Sequence, residues 1–194
     1  DPIRPRVFYL AHSGGDDNAA LAGLWRSEDG GATWSRLHAG EIAPQSRFAA
    51  KLRPVPGRSG DLFFTSAAGG KDAALRRSRD GGATWSVVRE IDHVDDVAFG
   101  KAAPGASAPT IFLSGQIRGR YGIWRSVDDG ATWQRIGTFP VGRLDKVTVM
   151  GADPDQFGRV YIGYMGSGFL YGVPSDCLPA PFRAFDAREC AAVR

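Results

Sequence analysis

The chain has 194 residues, a formal charge of +3, and 26 glycines with 12 prolines. That is long enough to bury a core of its own, and the glycine and proline load fits many short strands joined by turns. The composition excludes a helical membrane span, since no apolar run approaches the ~18 residues one needs, and it argues against nucleic acid, since the basic excess is scattered with no basic-aromatic stripe.

The chain opens on Asp1-Pro2 with no initiator methionine and no signal peptide, which reads as a trimmed mature product or a fragment. An apolar strand is expected at residues 7–10 and a second at 23–26. Directly after it comes Ser27-Glu28-Asp29-Gly30-Gly31-Ala32-Thr33-Trp34. The same order then repeats. Strands are expected at 48–53, 62–65 and 74–77, followed by Ser78-Arg79-Asp80-Gly81-Gly82-Ala83-Thr84-Trp85. Strands at 94–99, 111–114 and 122–125 precede Ser126-Val127-Asp128-Asp129-Gly130-Ala131-Thr132-Trp133. A last set at 144–150, 160–163 and 168–171 has no octapeptide after it. Starts at Ser27, Ser78 and Ser126 give intervals of 51 and 48 residues, a repeat of supersecondary size.

The octapeptide has the chemistry of a hairpin corner. A Ser hydroxyl and an Asp carboxylate can bond nearby backbone amides and fix a tight turn. Gly31, Gly82 and Gly130 supply backbone angles that other residues resist. Thr33, Thr84 and Thr132, each with the tryptophan that follows, are expected to begin a strand and to bury the ring of Trp34, Trp85 or Trp133. Three identical aspartates, Asp29, Asp80 and Asp128, suit a repeated structural role rather than one active site. The octapeptide resembles the Asp-box, or bacterial neuraminidase repeat.

Four strands in about 50 residues is the content of a propeller blade. The expected class is therefore all-β: a β-propeller of four-stranded blades with Asp-box turns, about three and a half blades in this chain. With the octapeptide between third and fourth strands, the chain starts at a second strand, holds two complete blades, and stops after a third strand, fourteen strands in all. An open ring leaves edge strands. Closure by further blades, in another chain or an upstream region, is favoured over a four-bladed ring in which 182–185 supplies a strand. Residues 1–172 form the blades and 173–194 a tail. Cys177 and Cys190 in that tail are expected to form a disulfide, worth roughly 3 kcal/mol in the chain-entropy model, and so to mark a secreted or periplasmic protein. Two free thiols are the alternative.

Longer stretches carry a narrower resemblance. Residues 97–107, Gly122-Ile123-Trp124-Arg125-Ser126, and 152–163 followed by Gly168-Phe169-Leu170-Tyr171-Gly172 resemble, in order and spacing, the C-terminal part of xyloglucanase-type glycoside hydrolases. The resemblance covers roughly residues 50–172. It implies two seven-bladed propellers flanking a glucan cleft, and inverting endoglucanase chemistry by two aspartates. Those aspartates belong to stretches that have no match here, so no catalytic residue is carried over. The family's Thr-Asn-Gly-Arg-Gly turn is here Tyr164-Met165-Gly166-Ser167-Gly168, and its His- and Gln-bearing loop is here residues 137–143. Sortilin-type receptors and photosystem assembly factors use related propellers without catalysis.

An inverting glycosidase needs two carboxyls ~6.5–9.5 Å apart across the sugar. The adjacent pairs Asp16-Asp17, Asp95-Asp96 and Asp128-Asp129 are poor dyads, because strand neighbours point to opposite faces. Asp95 and Asp96 are expected to be solvated or turn-bonded. His12, His38 and His93 are scattered, without metal spacing, and are expected on the surface or in turns. No cofactor motif is present. The octapeptide turns occupy one face, and the opposite face collects His12, Asp16, Asp17, Glu41, Lys71, Asp72, Arg118, Arg120, Tyr121 and Arg143. Of these, Asp16, Asp17, Arg118, Arg120, Tyr121 and Arg143 are the candidate binding residues, loop-borne and rich in the types favoured at interfaces. Tyr121, Tyr164 and Phe139 are the loop aromatics a glycan platform could use.

These readings leave two functions. One is a non-catalytic module that scaffolds or binds a protein partner, or the remaining blades, in solution or in a membrane-associated complex. The alternative is a piece of a xyloglucanase-like endo-β-1,4-glucanase, or a propeller that binds β-glucan without cutting it.

Overall fold

A computed structural model describes residues 1–15, 18–43, 50–65, 74–137, 146–166 and 168–173. Among them are fourteen strands and one short 3-10 turn, Ala19–Leu21. The first sheet runs β1 (Phe8–His12), β2 (Gly23–Ser27), β3 (Ser35–Ala39). The second runs β4 (Lys51–Pro54), β5 (Leu62–Thr65), β6 (Arg76–Ser78), β7 (Ser86–Val87). The third holds β8 (Ile91–Gly100), β9 (Thr110–Ile117), β10 (Arg120–Ser126) and β11 (Gln134–Gly137), again in sequence order. The fourth has β12 (Val147–Ala152), β13 (Val160–Tyr164) and β14 (Phe169–Gly172). Each is an up-and-down meander, the pattern of a propeller blade. The first and last have three strands and the middle two have four, as the octapeptide register implies. No helix among the described residues is long and apolar enough to cross a membrane.

Two compact units result, residues 1–97 with 114–122, and residues 98–113 with the described residues from 123 onward. In the first, Leu24 of β2 packs with Leu62 and Phe64 of β5 and with Ile42 and Ala43 of the connection. In the second, Ala98, Phe112 and Ile123 pack against Val147, Met150, Val160, Ile162 and Tyr164. Each Val, Leu, Ile, Phe or Met among them contributes roughly 1.5–3 kcal/mol by leaving water.

The three octapeptides make the same turn. Ser27 Oγ donates to Asp29 Oδ1 at 2.7 Å and accepts from Gly31 N at 2.8 Å. Thr33 donates to the same carboxylate from its amide, 2.9 Å, and from its hydroxyl, 2.6 Å. Ser78, Asp80, Gly82 and Thr84 repeat the pattern, as do Ser126, Asp128, Gly130 and Thr132. Gly31, Gly82 and Gly130 sit at φ of 97°, 93° and 88°, left-handed angles that a side chain resists.

One expectation is corrected here. The fourth strands start after the tryptophan, at Ser35, Ser86 and Gln134, because both Thr donors are held inside the turn. Trp34 therefore lies over the turn, its indole N–H donating to Gly31 O at 3.0 Å, and stays 40% exposed, whereas Trp85 packs partly buried against the Leu24 cluster, edge-on to Phe64.

Candidate functional site

The described candidates converge on the start of β8 and the β9–β10 turn, all in the first unit. Alternation along β8 sends His93 and Asp95 to one side and Asp96 to the other. The Asp95 carboxylate, 3% exposed, takes His93 Nε2 on Oδ1 at 2.9 Å. Its Oδ2 accepts from Ser114 Oγ at 3.2 Å and from the Tyr121 hydroxyl, and Ser114 and Tyr121 are 3.1 Å apart. Asp96, fully buried, accepts from Arg53 Nε at 3.1 Å and Nη2 at 2.8 Å, from Lys51 at 3.1 Å, and from Val97 N at 2.8 Å. Gly115 lets β9 approach, since a Cβ there would fall 2.0 Å from His93 O.

Above this network sits the turn Arg118-Gly119. Arg118 N donates to Glu90 O at 3.2 Å, its guanidinium meets Glu90 Oε1 at 2.5 Å, and Gly119 N donates to Asp92 Oδ2 at 2.7 Å. Glu90 and Arg118 both hold positive φ, 67° and 50°. Such strain gathers where surroundings over-determine the chain, often at functional sites. The Glu90 carboxylate raises the pKa of the exposed Arg118 above its ordinary value.

Several expectations change. Asp95 and Asp96 are neither solvated nor turn-bonded; both are buried against side chains. They do diverge to opposite sides, as strand geometry requires. His93 is not a surface residue: its side chain is 19% exposed, and Nδ1 is buried with no partner among the described residues. Tyr121 turns its hydroxyl inward, whereas Arg118 and Arg120 are exposed. His12 is spent locally, Nδ1 accepting from Gly14 N at 3.0 Å. Asp16, Asp17, Lys71, Asp72, Phe139, Arg143, Cys177, Cys190 and residues 182–185 lie outside the described residues.

Chemically, Asp95 is a buried acceptor engaged by three side chains. His93, Ser114 and Tyr121 hold the carboxylate in place from both of its oxygens. Among the described residues no group of three or more His, Cys, Asp or Glu is placed to hold a metal. The arrangement positions a turn with exposed Arg118 and Arg120 and is suited to binding. Sequence reasoning passed over Ser114 and His93 as members; the signal was four polar residues crowded into a strand, where Asp is depleted. It also passed over a second repeat. Asp1 Oδ1 accepts from the amides of Ile3, 2.9 Å, and Arg4, 3.0 Å, while Tyr9 donates to Oδ2. Asp153 does the same with Asp155, Gln156 and Tyr161. The signal is Asp-Pro with Tyr eight residues after the Asp.

Over 177 residues the chain is 34% identical to a xyloglucanase of a Paenibacillus species, covering 90% of this chain and 16% of that protein. Over 181 residues it is 35% identical to xyloglucanase Xgh74A of Acetivibrio thermocellus, covering 93% and 20%. The chain resembles xyloglucanases over nine-tenths of its length. The GH74 xyloglucanase of Xanthomonas campestris superposes with a TM-score of 0.68 at 29% identity, over 88% of this chain and 23% of that one. The GH74 enzyme of Niastella koreensis gives 0.67 at 24%, over 87% and 23%, a likeness of fold. No protein-family model matches the chain. The four sheets are blades of a β-propeller, and the chain spans a fifth or less of the length of these curated relatives.

Proposed function

We propose that the chain is a blade-forming segment of a xyloglucanase-like glycoside hydrolase acting on β-glucan outside the cytoplasm. The cleaving carboxylates are supplied by stretches beyond these residues. The observation that carries this reading is 34–35% identity to xyloglucanases across nine-tenths of the chain. Those relatives act on a polysaccharide, which favours this reading over a scaffold for a protein partner. Asp95 serves inside the segment as an anchor for His93, Ser114 and Tyr121, a positioning role. In this reading Arg118 and Arg120, exposed on the β9–β10 turn, and the neighbouring Tyr121 border the polysaccharide. A polymer substrate too large to cross a membrane places the protein in a secreted or periplasmic setting.

The test is release of reducing ends from xyloglucan by the whole polypeptide that carries this segment. Steady release is expected, and Arg118→Ala with Arg120→Ala should raise KM with little change in kcat. Intact polymer after prolonged incubation with folded protein would refute the hydrolase reading. Unchanged KM in the double variant would remove those arginines from the binding face.

A further inference from the structure

The sequence holds three Asp-Gly links, one in each octapeptide: Asp29-Gly30, Asp80-Gly81 and Asp129-Gly130. Such a link can rearrange with no reagent but water. The glycine nitrogen attacks the side-chain carboxyl of the aspartate before it, and glycine has no side chain to obstruct the approach. The carboxyl must be neutral, because its hydroxyl leaves as water. The three links are not equivalent. The third octapeptide reads Ser-Val-Asp-Asp-Gly where the first two read Ser-x-Asp-Gly-Gly, so its link falls one residue later.

In the first two turns the carboxylate of the link is also the one that holds the turn. Bonds from Thr33 and Ser27 keep the Asp29 carboxyl well below its ordinary range. At Asp80 desolvation works the other way, yet bonds from Thr84 and Ser78 outweigh it and hold the pKa at about 2. A depression of about two units makes the neutral form roughly 100-fold rarer at a given pH. The glycine nitrogens of these links are anchored outside their octapeptides, Gly30 N on Arg6 O and Gly81 N on Gly60 O, both at 2.9 Å.

The third turn spends the same donors elsewhere. Ser126 and both donors of Thr132 go to Asp128, which precedes an aspartate and not a glycine. Asp129 stands where the other turns have Gly30 and Gly81, and takes a φ of 62° beside their 84° and 74°. A side chain at such an angle costs roughly 1–3 kcal/mol, which is relieved as the link rotates towards ring closure. Gly130 N donates to Ser126 Oγ at 2.9 Å, inside the octapeptide, so opening of this one turn releases it.

We propose that Asp129 is a site of spontaneous covalent modification, converted to isoaspartate through a cyclic imide with Gly130, while Asp29 and Asp80 are protected by the turns they hold. The bond from Gly130 N to the Asp129 Cγ forms, the Cγ–OH bond breaks, and one water leaves. Water then re-enters at Cγ, restoring aspartate, or at the main-chain carbonyl carbon of residue 129, leaving isoaspartate. Isoaspartate puts an extra carbon into the main chain between Asp128 and Gly130. The Gly130–Ser126 and Thr132–Asp128 bonds both span that point, so the third turn loosens as the protein ages. The proposal does not depend on the glycoside hydrolase reading.

The test holds the 194-residue chain for several weeks in warm, mildly acidic buffer, one sample folded and one unfolded in guanidinium chloride. Isoaspartate in each Asp-Gly peptide is then measured by electron-transfer fragmentation mass spectrometry. In the folded sample residue 129 should carry about 10-fold more isoaspartate than residue 29 or 80, or a larger excess. In the unfolded sample the three links should react alike. Thr84→Val, which removes one donor from Asp80, should raise isoaspartate at residue 80 in the folded chain. If this variant loses the wild-type circular dichroism, Thr33→Val replaces it and is read at residue 29. A folded sample without isoaspartate at residue 129, or with as much at residue 29 or 80, would overturn the proposal. So would an unfolded sample that keeps the folded ranking, or a folded threonine variant with no rise at its aspartate.

Discussion

Asp96→Asn removes the charge from a carboxylate that ties β8 to β4. The native group is fully buried and accepts two bonds from Arg53, one from Lys51 and one from Val97 N. Breaking one side of a buried pair costs about 3–5 kcal/mol when the remaining charges are sealed from water. Here the Arg53 and Lys51 side chains are 34% and 20% exposed, so both regain part of their hydration. That discount brings the expected loss to about 2–3 kcal/mol. Urea unfolding followed by tryptophan fluorescence should show a midpoint lower by about 1 M with m unchanged. In a double-mutant cycle, Arg53→Met and Asp96→Asn should couple by at least about 1 kcal/mol. Asp155→Asn, on an exposed turn, serves as the control and should stay within about 0.5 kcal/mol of wild type. A loss below about 0.5 kcal/mol for Asp96→Asn, or no coupling, would refute the argument that this pair holds the two strands together.

Partial desolvation pushes the Asp80 carboxyl up, but hydrogen bonds from Thr84 and Ser78 outweigh it and hold the pKa at about 2. The folded value lies below the unfolded one, so this contribution is complete above pH ~4 and is lost as pH falls towards 2. Carbon-detected NMR should find the Asp80 midpoint near 2, and Thr84→Val should move it upward; an unmoved midpoint would contradict the assigned cause. Gly115→Ala places a methyl group 2.0 Å from His93 O and should destabilise by more than about 2 kcal/mol on thermal unfolding. Wild-type stability there would mean β9 does not approach β8 so closely. Tyr121→Phe takes one of three donors from Asp95 and should cost about 1–2 kcal/mol while perturbing the amide shifts of residues 93–95. No change in those shifts would place Tyr121 outside the network.

The blades were legible because their determinants are local. In each octapeptide the Ser, Asp and Thr side chains find their partners within four residues, Ser27 to Gly31 and Asp29 to Thr33, so spacing alone specified the turn and, with it, the strand count. The site was legible only in outline, because its bonds are long-range. Tyr121 and Asp95 are 26 residues apart, and Arg53 and Asp96 are 43 apart. Nothing near Asp95 or Asp96 announces those partners, and so a run of polar residues read as solvent-facing. The same distinction governs the apolar positions. Leu24, Leu75, Ile123 and Phe169 are equivalent by spacing and register, and their chemistry is alike. Only a neighbouring sheet decides whether such a residue is core or surface. Leu24 is fully buried because Leu62 and Phe64 of the next sheet receive it. A repeat protein can therefore be read from its sequence for what each blade needs, while contacts distant in sequence decide what each blade meets.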